Sequence, residues 1–403
     1  NLTLSLDARS GGNTGGEITF GLVTTSAGES FLGAFTAQTN GAVGSSGKIN
    51  LDADIATDDP GNVLGAAAGV TLVGRVEING TRTIDTHDAT AANNAGFVDL
   101  QNATVFATAA TDDLSINTTA TGTDSGGAVT LGVIDDDATN GQFVDLLTVD
   151  ARNAGGTAGT VTFSGAATTT GTIEASGGAI TLNAAANVAS TGTSSDILFD
   201  AVGVTSDVTL GASLTAAGDD IHIRAGRDIL QALDTVFVTA SSVKLDAGDD
   251  IGDGTVGAAN AATAIDLQAT TVSASAGNLG AGTTANIFIN QDTTGGNIAV
   301  GTATDLLTSG TGGGIVVNAT ADGGSITLSS EDDSIQVDVG IAADGSGSVN
   351  IDSGAGFTLS DGITINSTDD GAAGAVTIDT TGTNTLVVNG MIQYCTSEIR
   401  RAH

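Results

Sequence analysis

Four apolar-x-apolar triplets recur at a step of 22 residues: Ile221-His222-Ile223, Val243-Lys244-Leu245, Ile265-Asp266-Leu267 and Ile287-Phe288-Ile289. A second column starts at the same step with Ile229 and Ile251, and Val272 follows one residue out of phase. Each triplet is too short to bury its apolar face alone. Stacking one turn of chain on the next solves this, because every backbone group then pairs with the turn above or below. The spacing therefore predicts an all-β chain, a parallel β-helix or β-solenoid with coils of about 22 residues. A right-handed sense follows from the general preference of parallel crossovers. Similar short runs flank the block, among them Ile18 to Phe20, Ile49 to Leu51, Val161 to Phe163, Ile180 to Leu182, Val208 to Leu210, Ile298 to Val300 and Val349 to Ile351. Clusters of Gly, Asp, Asn, Ser and Thr bound them, as turns require.

Stacking at a constant step also assigns faces. Ile221, Ile223, Val243, Leu245, Ile265, Leu267, Ile287 and Ile289 are expected inside. His222, Lys244, Asp266 and Phe288 then form one outward column, and Arg224, Asp246, Gln268 and Asn290 another. On this reading Lys244 lies beside Asp266 and Arg224 beside Asp246. Exposed pairs of that kind set register and contribute up to about 1 kcal/mol each.

The composition agrees. Among 403 residues aromatics are 3%, Trp is absent and Pro occurs once. That inventory suits a thin aliphatic core better than a thick globular one, which normally uses large rings. Of 46 acidic residues only six are Glu, so forty are Asp, a turn and cap residue that competes with helix. The net charge is −36 with only Lys48 and Lys244 as lysines. No basic face for nucleic acid can be assembled, and attraction to anionic lipid is excluded for the same reason. Mean hydropathy is +0.21, too high for a chain kept unfolded by its charge. Cys395 stands alone, so no intrachain disulfide can form. Three regions are expected: a less regular β region or cap over 1–110, solenoid repeats over 111–390, and a tail over 391–403 that holds the only Met, Tyr and Cys.

The phrase Ala217-Gly218-Asp219-Asp220-Ile221 and its echo Ala247-Gly248-Asp249-Asp250-Ile251 resemble the repeats of filamentous-haemagglutinin-type exoproteins. The Gly/Ala/Thr/Asp texture of the whole chain is similar to repeat-rich bacterial surface proteins and adhesins. The resemblance implies a right-handed β-helix exported to the cell surface, working as an adhesin, stalk or fibre.

Chemistry is scarce. Glycoside hydrolysis needs one pair of carboxylates at a set separation. The Asp219-Asp220 pair recurs as Asp249-Asp250 and Asp332-Asp333, which marks a repeat rather than a catalytic centre, and one Tyr is poor provision for stacking sugars. A polysaccharide lyase or hydrolase is therefore the weakest reading, and no enzyme is expected. His87, His222 and His403 lie far apart without ligand spacing and read as exposed polar residues. Structural calcium is the one cofactor the residues suggest. Asp246, Asp249, Asp250 and Asp253 sit within eight residues among glycines, Asp135 to Asp137 are consecutive, and Asp52, Asp54, Asp58 and Asp59 form a third cluster. Calcium takes six to eight oxygens from such flexible carboxylates, although Asp also caps turns with no metal. The sequence thus predicts a non-enzymatic, extracellular, elongated protein that assembles with copies of itself into a fibre, sheath or surface layer. The alternative is a monomeric adhesin stalk that meets a receptor on a host cell or surface.

Overall fold

The computed structural model describes residues 2–9, 16–20, 32–40, 47–57, 69–87, 94–136, 142–153, 155–252, 264–277, 285–292, 296–308, 310–317, 324–344, 346–367, 374–380, 385–393 and 396–401. Among them the chain is all-β, with no helix and with strands paired almost entirely in parallel. It divides into two compact units, residues 1–195 with 199–202, and residues 196–198 with 203–403.

In the first unit three apolar columns run through successive strands. One passes Leu4, Phe35, Val70, Val98, Val129, Val161 and Ile180. A second passes Ile18, Ile49, Val76, Val105, Ile134, Ala167 and Val188. A third passes Ile55, Ile84, Ile116, Val149 and Ala175. From Phe35, Ile49 and Ile55 onward these side chains are fully buried. Each such Val, Leu or Ile contributes about 1.5–3 kcal/mol by leaving water. The scarce rings fill the wider places: Phe20 meets Phe35 edge-on at 5.0 Å, and Phe163 stacks on Phe199 at 5.5 Å.

The second unit repeats the plan. Its columns are Ile221, Val243, Val272, Val300, Val337 and Leu359; Ile223, Leu245, Ala274, Ile315, Ile341 and Ile365; and Val208, Ile229, Ile251, Ile287, Ile326, Val349 and Val376. All eight residues expected inside from the triplets are buried. The register, however, departs from the constant step. Val243 pairs with Val272, not Ile265, and Ile265 pairs with Ile289. The strand Ile265–Ala276 is 12 residues long and serves more than one column, so its first triplet stacks beside Val238 and its second beside Val243. Val272 is not an imperfect member of the Ile229 column. Ile287 holds that place.

Glycine serves the corners. A Cβ on Gly127 would lie 1.7 Å from the Gly96 carbonyl oxygen, and one on Gly159 2.0 Å from that of Gly127. In the second unit Gly347 and Gly374 stand in the same relation to Gly324 and Gly347, at 1.7 Å each. Only hydrogen fits where one corner sits on the next.

The outward assignment fails at four positions. His222, Lys244, Asp266 and Asn290 are 0%, 7%, 3% and 6% exposed. The cause lies in the one antiparallel element described, a hairpin of strands Thr302–Asp305 and Gly310–Gly313. Asp305 of that hairpin reaches both His222 and Lys244. Asp266 is enclosed instead by Gln231 and Asn290.

Candidate functional site

The acidic residues of the second unit form two distinct arrangements. The first lies at a turn. Val208, Ile229, Ile287 and Ile326 open stacked strands, Ile251 bridges Ile229 to Ile287, and the residue before each of the five is Asp207, Asp228, Asn286, Ser325 and Asp250 respectively. The Asp207 carboxylate accepts the Asp228 backbone N–H at 3.2 Å, and that of Asp228 accepts the Asp250 N–H at 3.1 Å. Asp250 accepts both the backbone N–H and the side-chain amide of Asn286, at 2.7 and 3.1 Å. Asn286 Oδ1 accepts the Ser325 N–H at 3.1 Å, and Ser325 Oγ accepts that of Ser348 at 3.3 Å. Asp is favoured here because its short side chain reaches exactly one rung along while its own backbone continues the ladder.

Asp228, Asp249 and Asp250 come together at this turn, each offering an oxygen within 4.8 Å of the others. Arg227 binds the column from outside. Its Nε lies 2.7 Å from Asp207 and 3.0 Å from Asp228, and its Nη2 also meets Asp207. Burial pushes Asp250 up to about 6, and repulsion from Asp249 and Asp228 adds to it against the Asn286 hydrogen bonds. Burial likewise raises Asp228, with Asp207 adding repulsion. Asp249 is raised by burial and eased by Arg227. Asp249 Oδ1 is shut off from solvent with no hydrogen-bond partner. Hard carboxylate oxygens with one orphaned acceptor fit a divalent cation of calcium type, which would draw its remaining oxygens from carbonyls or water.

The residues expected to bind calcium are thus only partly gathered. Asp249 and Asp250 lie in the group, Asp246 lies elsewhere, and Asp253 falls outside the described residues, as do Asp58, Asp59 and Asp137. Asp228 was missed. Its signal was legible, since Ala225-Gly226-Arg227-Asp228-Ile229 aligns phrase for phrase with Ala247-Gly248-Asp249-Asp250-Ile251.

The second arrangement is a buried charge cluster. In the strands Asp220–Ala225 and Val238–Ala247, His222 pairs in register with Lys244 and Arg224 with Asp246. Lys244 faces Ser273 on its other side, not Asp266. His222 Nε2 lies 2.9 Å from Asp246 Oδ2, and Lys244 Nζ contacts the same oxygen. Asp305 stands over both side chains, its oxygens 3.6 Å from His222 Nδ1 and 3.6 Å from Lys244 Nζ. Burial lowers the Lys244 amine, and Asp305 opposes that fall. Nothing in the 22-residue step points to Asp305, which is 61 residues beyond Lys244.

Comparison with known proteins finds no match among family models, curated proteins or solved structures.

Proposed function

We propose that this chain is a non-enzymatic structural protein of the cell exterior, a right-handed β-solenoid that associates with copies of itself into a fibre, sheath or surface layer. The observation that carries the reading is the use made of its polar residues. The chemistry-bearing side chains of the turn column are spent on the next rung's backbone, and those of the buried cluster on one another. A protein built this way offers a long regular surface rather than a reaction centre, which is what a scaffold or stalk requires. The strong negative charge supports life outside the cell as a soluble, mutually repelling unit whose association depends on ions. Calcium held by Asp228, Asp249 and Asp250 belongs to the same reading as a structural brace.

Negative-stain microscopy of the purified protein, with and without salt and calcium, tests it. Filaments or sheets support self-assembly. Isolated particles under every condition would overturn assembly and favour the adhesin stalk. Turnover of acidic polysaccharide by the same sample would overturn the non-enzymatic reading.

A further inference from the structure

We propose that the hairpin Thr302–Asp305 with Gly310–Gly313 is an acid-released strap, held on the outer face of its sheet by Asp305 against Lys244 and His222. Its two strands pair with each other, Thr302 to Gly313 through Asp305 to Gly310, and take no part in the parallel columns. Few apolar groups hold it down. Ala303 is fully buried, whereas Thr304, Leu306 and Leu307 are part-exposed and Thr302 is exposed. An element with so little buried apolar surface opens at lower free energy than the stack beneath it.

The charges that face Asp305 come from two strands. Asp220–Ala225 brings His222 and, next to Lys244, Arg224. Val238–Ala247 brings Lys244 and Asp246. The third neighbour, Ile265–Ala276, places the neutral Ser273 beside Lys244. While Asp305 is ionised, the strap completes the countercharge of a buried lysine. Once it is protonated, Lys244 faces the strap with the strap's anion gone, and water solvates the amine better than the strap does.

The direction is fixed by the groups around Asp305. Burial pushes its carboxyl up. The Thr308 N–H, Lys244, His222 and the Leu307 N–H outweigh this and hold it below the ordinary carboxylate range. A lowered folded value means the contact is present above about pH 4, the unfolded carboxylate value, and is lost as pH falls through the folded one. Release therefore belongs to the acid side of pH 4.

The chain has no Trp, so Leu307→Trp supplies a single fluorophore at the strap's turn. In that background, acidification should shift the emission to the red with a midpoint below about pH 4, while the far-ultraviolet strand signal persists. Adding Asp305→Asn should give the shifted emission already at pH 7, with no further acid step. Emission at pH 7 unchanged by Asp305→Asn would overturn the proposal, as would loss of emission and strand signal at one shared midpoint. If Asp305→Asn loses its strand signal, Lys244→Gln is read in the same way. It should raise the acid midpoint by about one pH unit or more, because a nearby cation is gone. An unmoved midpoint would overturn the proposal.

Discussion

Two outward columns, one in each unit, are used in opposite ways. In the first, Ser5, Thr36, Thr71, Asp99, Thr130, Thr162 and Thr181 form one register column on the side away from the core. From Thr36 on, all are part-exposed. In the second, the corresponding alternation yields His222, Lys244 and Ser273, all buried. Period two in a strand separates two faces and says nothing about what covers the second. Where water covers it, hydroxyls suffice. Where a hairpin covers it, ionic groups are enclosed and must be matched.

The largest expected effect tests whether the inner faces of both units are equivalent. Val129→Asp and Val243→Asp should each cost about 3 kcal/mol or more in urea denaturation, since each puts an unpaired charge into an aliphatic column. Next, Lys244→Ala should cost about 2 kcal/mol, because Asp246 and Asp305 lose their cation in a largely enclosed site. Thr162→Ala, at an outward position of the first unit, should stay within about 0.5 kcal/mol. Equal losses at Lys244 and Thr162 would erase the distinction between the two columns. Third, Asp266→Asn should cost about 1–2 kcal/mol. Its carboxylate accepts from Gln231 Nε2 at 2.6 Å and Asn290 Nδ2 at 2.9 Å, and an amide would turn a donor toward a donor.

A smaller effect concerns pH. Asp250 is raised to about 6, so folding favours its neutral form. Its contribution is fully present below about pH 4 and is lost as pH rises through about 6. Melting temperature should therefore fall over that window, and Asp250→Asn should flatten the fall. A wild-type profile matched by the variant would remove Asp250 from the account. The smallest effect is ionic. Millimolar calcium should raise the melting temperature more than magnesium at equal ionic strength, and Asp249→Asn should abolish the difference. Equal shifts with both ions would leave screening alone.

Much of this architecture is legible in the sequence. The runs Ile18–Phe20, Ile49–Leu51, Val161–Phe163, Ile180–Leu182 and Ile298–Val300 are strands with those bounds. Alternation of small apolar residues between turn formers is a local property, and local sequence carries it. Register is not local. The step from Ile221 to Val243 is 22 residues, but the next runs 29 to Val272, 28 to Val300 and 37 to Val337. Val243 had two apolar partners of equal merit, and the choice between Ile265 and Val272 depended on one long strand serving more than one column. Asp228 was readable from the repeated phrase. The burial of His222 and Lys244 was not, because the covering hairpin belongs to no repeat.

The turn column of Asp207, Asp228, Asp250, Asn286 and Ser325 has a sense of direction. Every side chain reaches forward to the backbone N–H of a later rung, and none of these bonds reaches back. Damage is therefore displaced from its cause. Replacing Asp250 with Ala leaves the Asp250 N–H still bound to Asp228 and strands the N–H of Asn286, 36 residues downstream. Amide exchange should quicken at Asn286 before it quickens at the altered residue, so that a fault written in one rung is read out in the next.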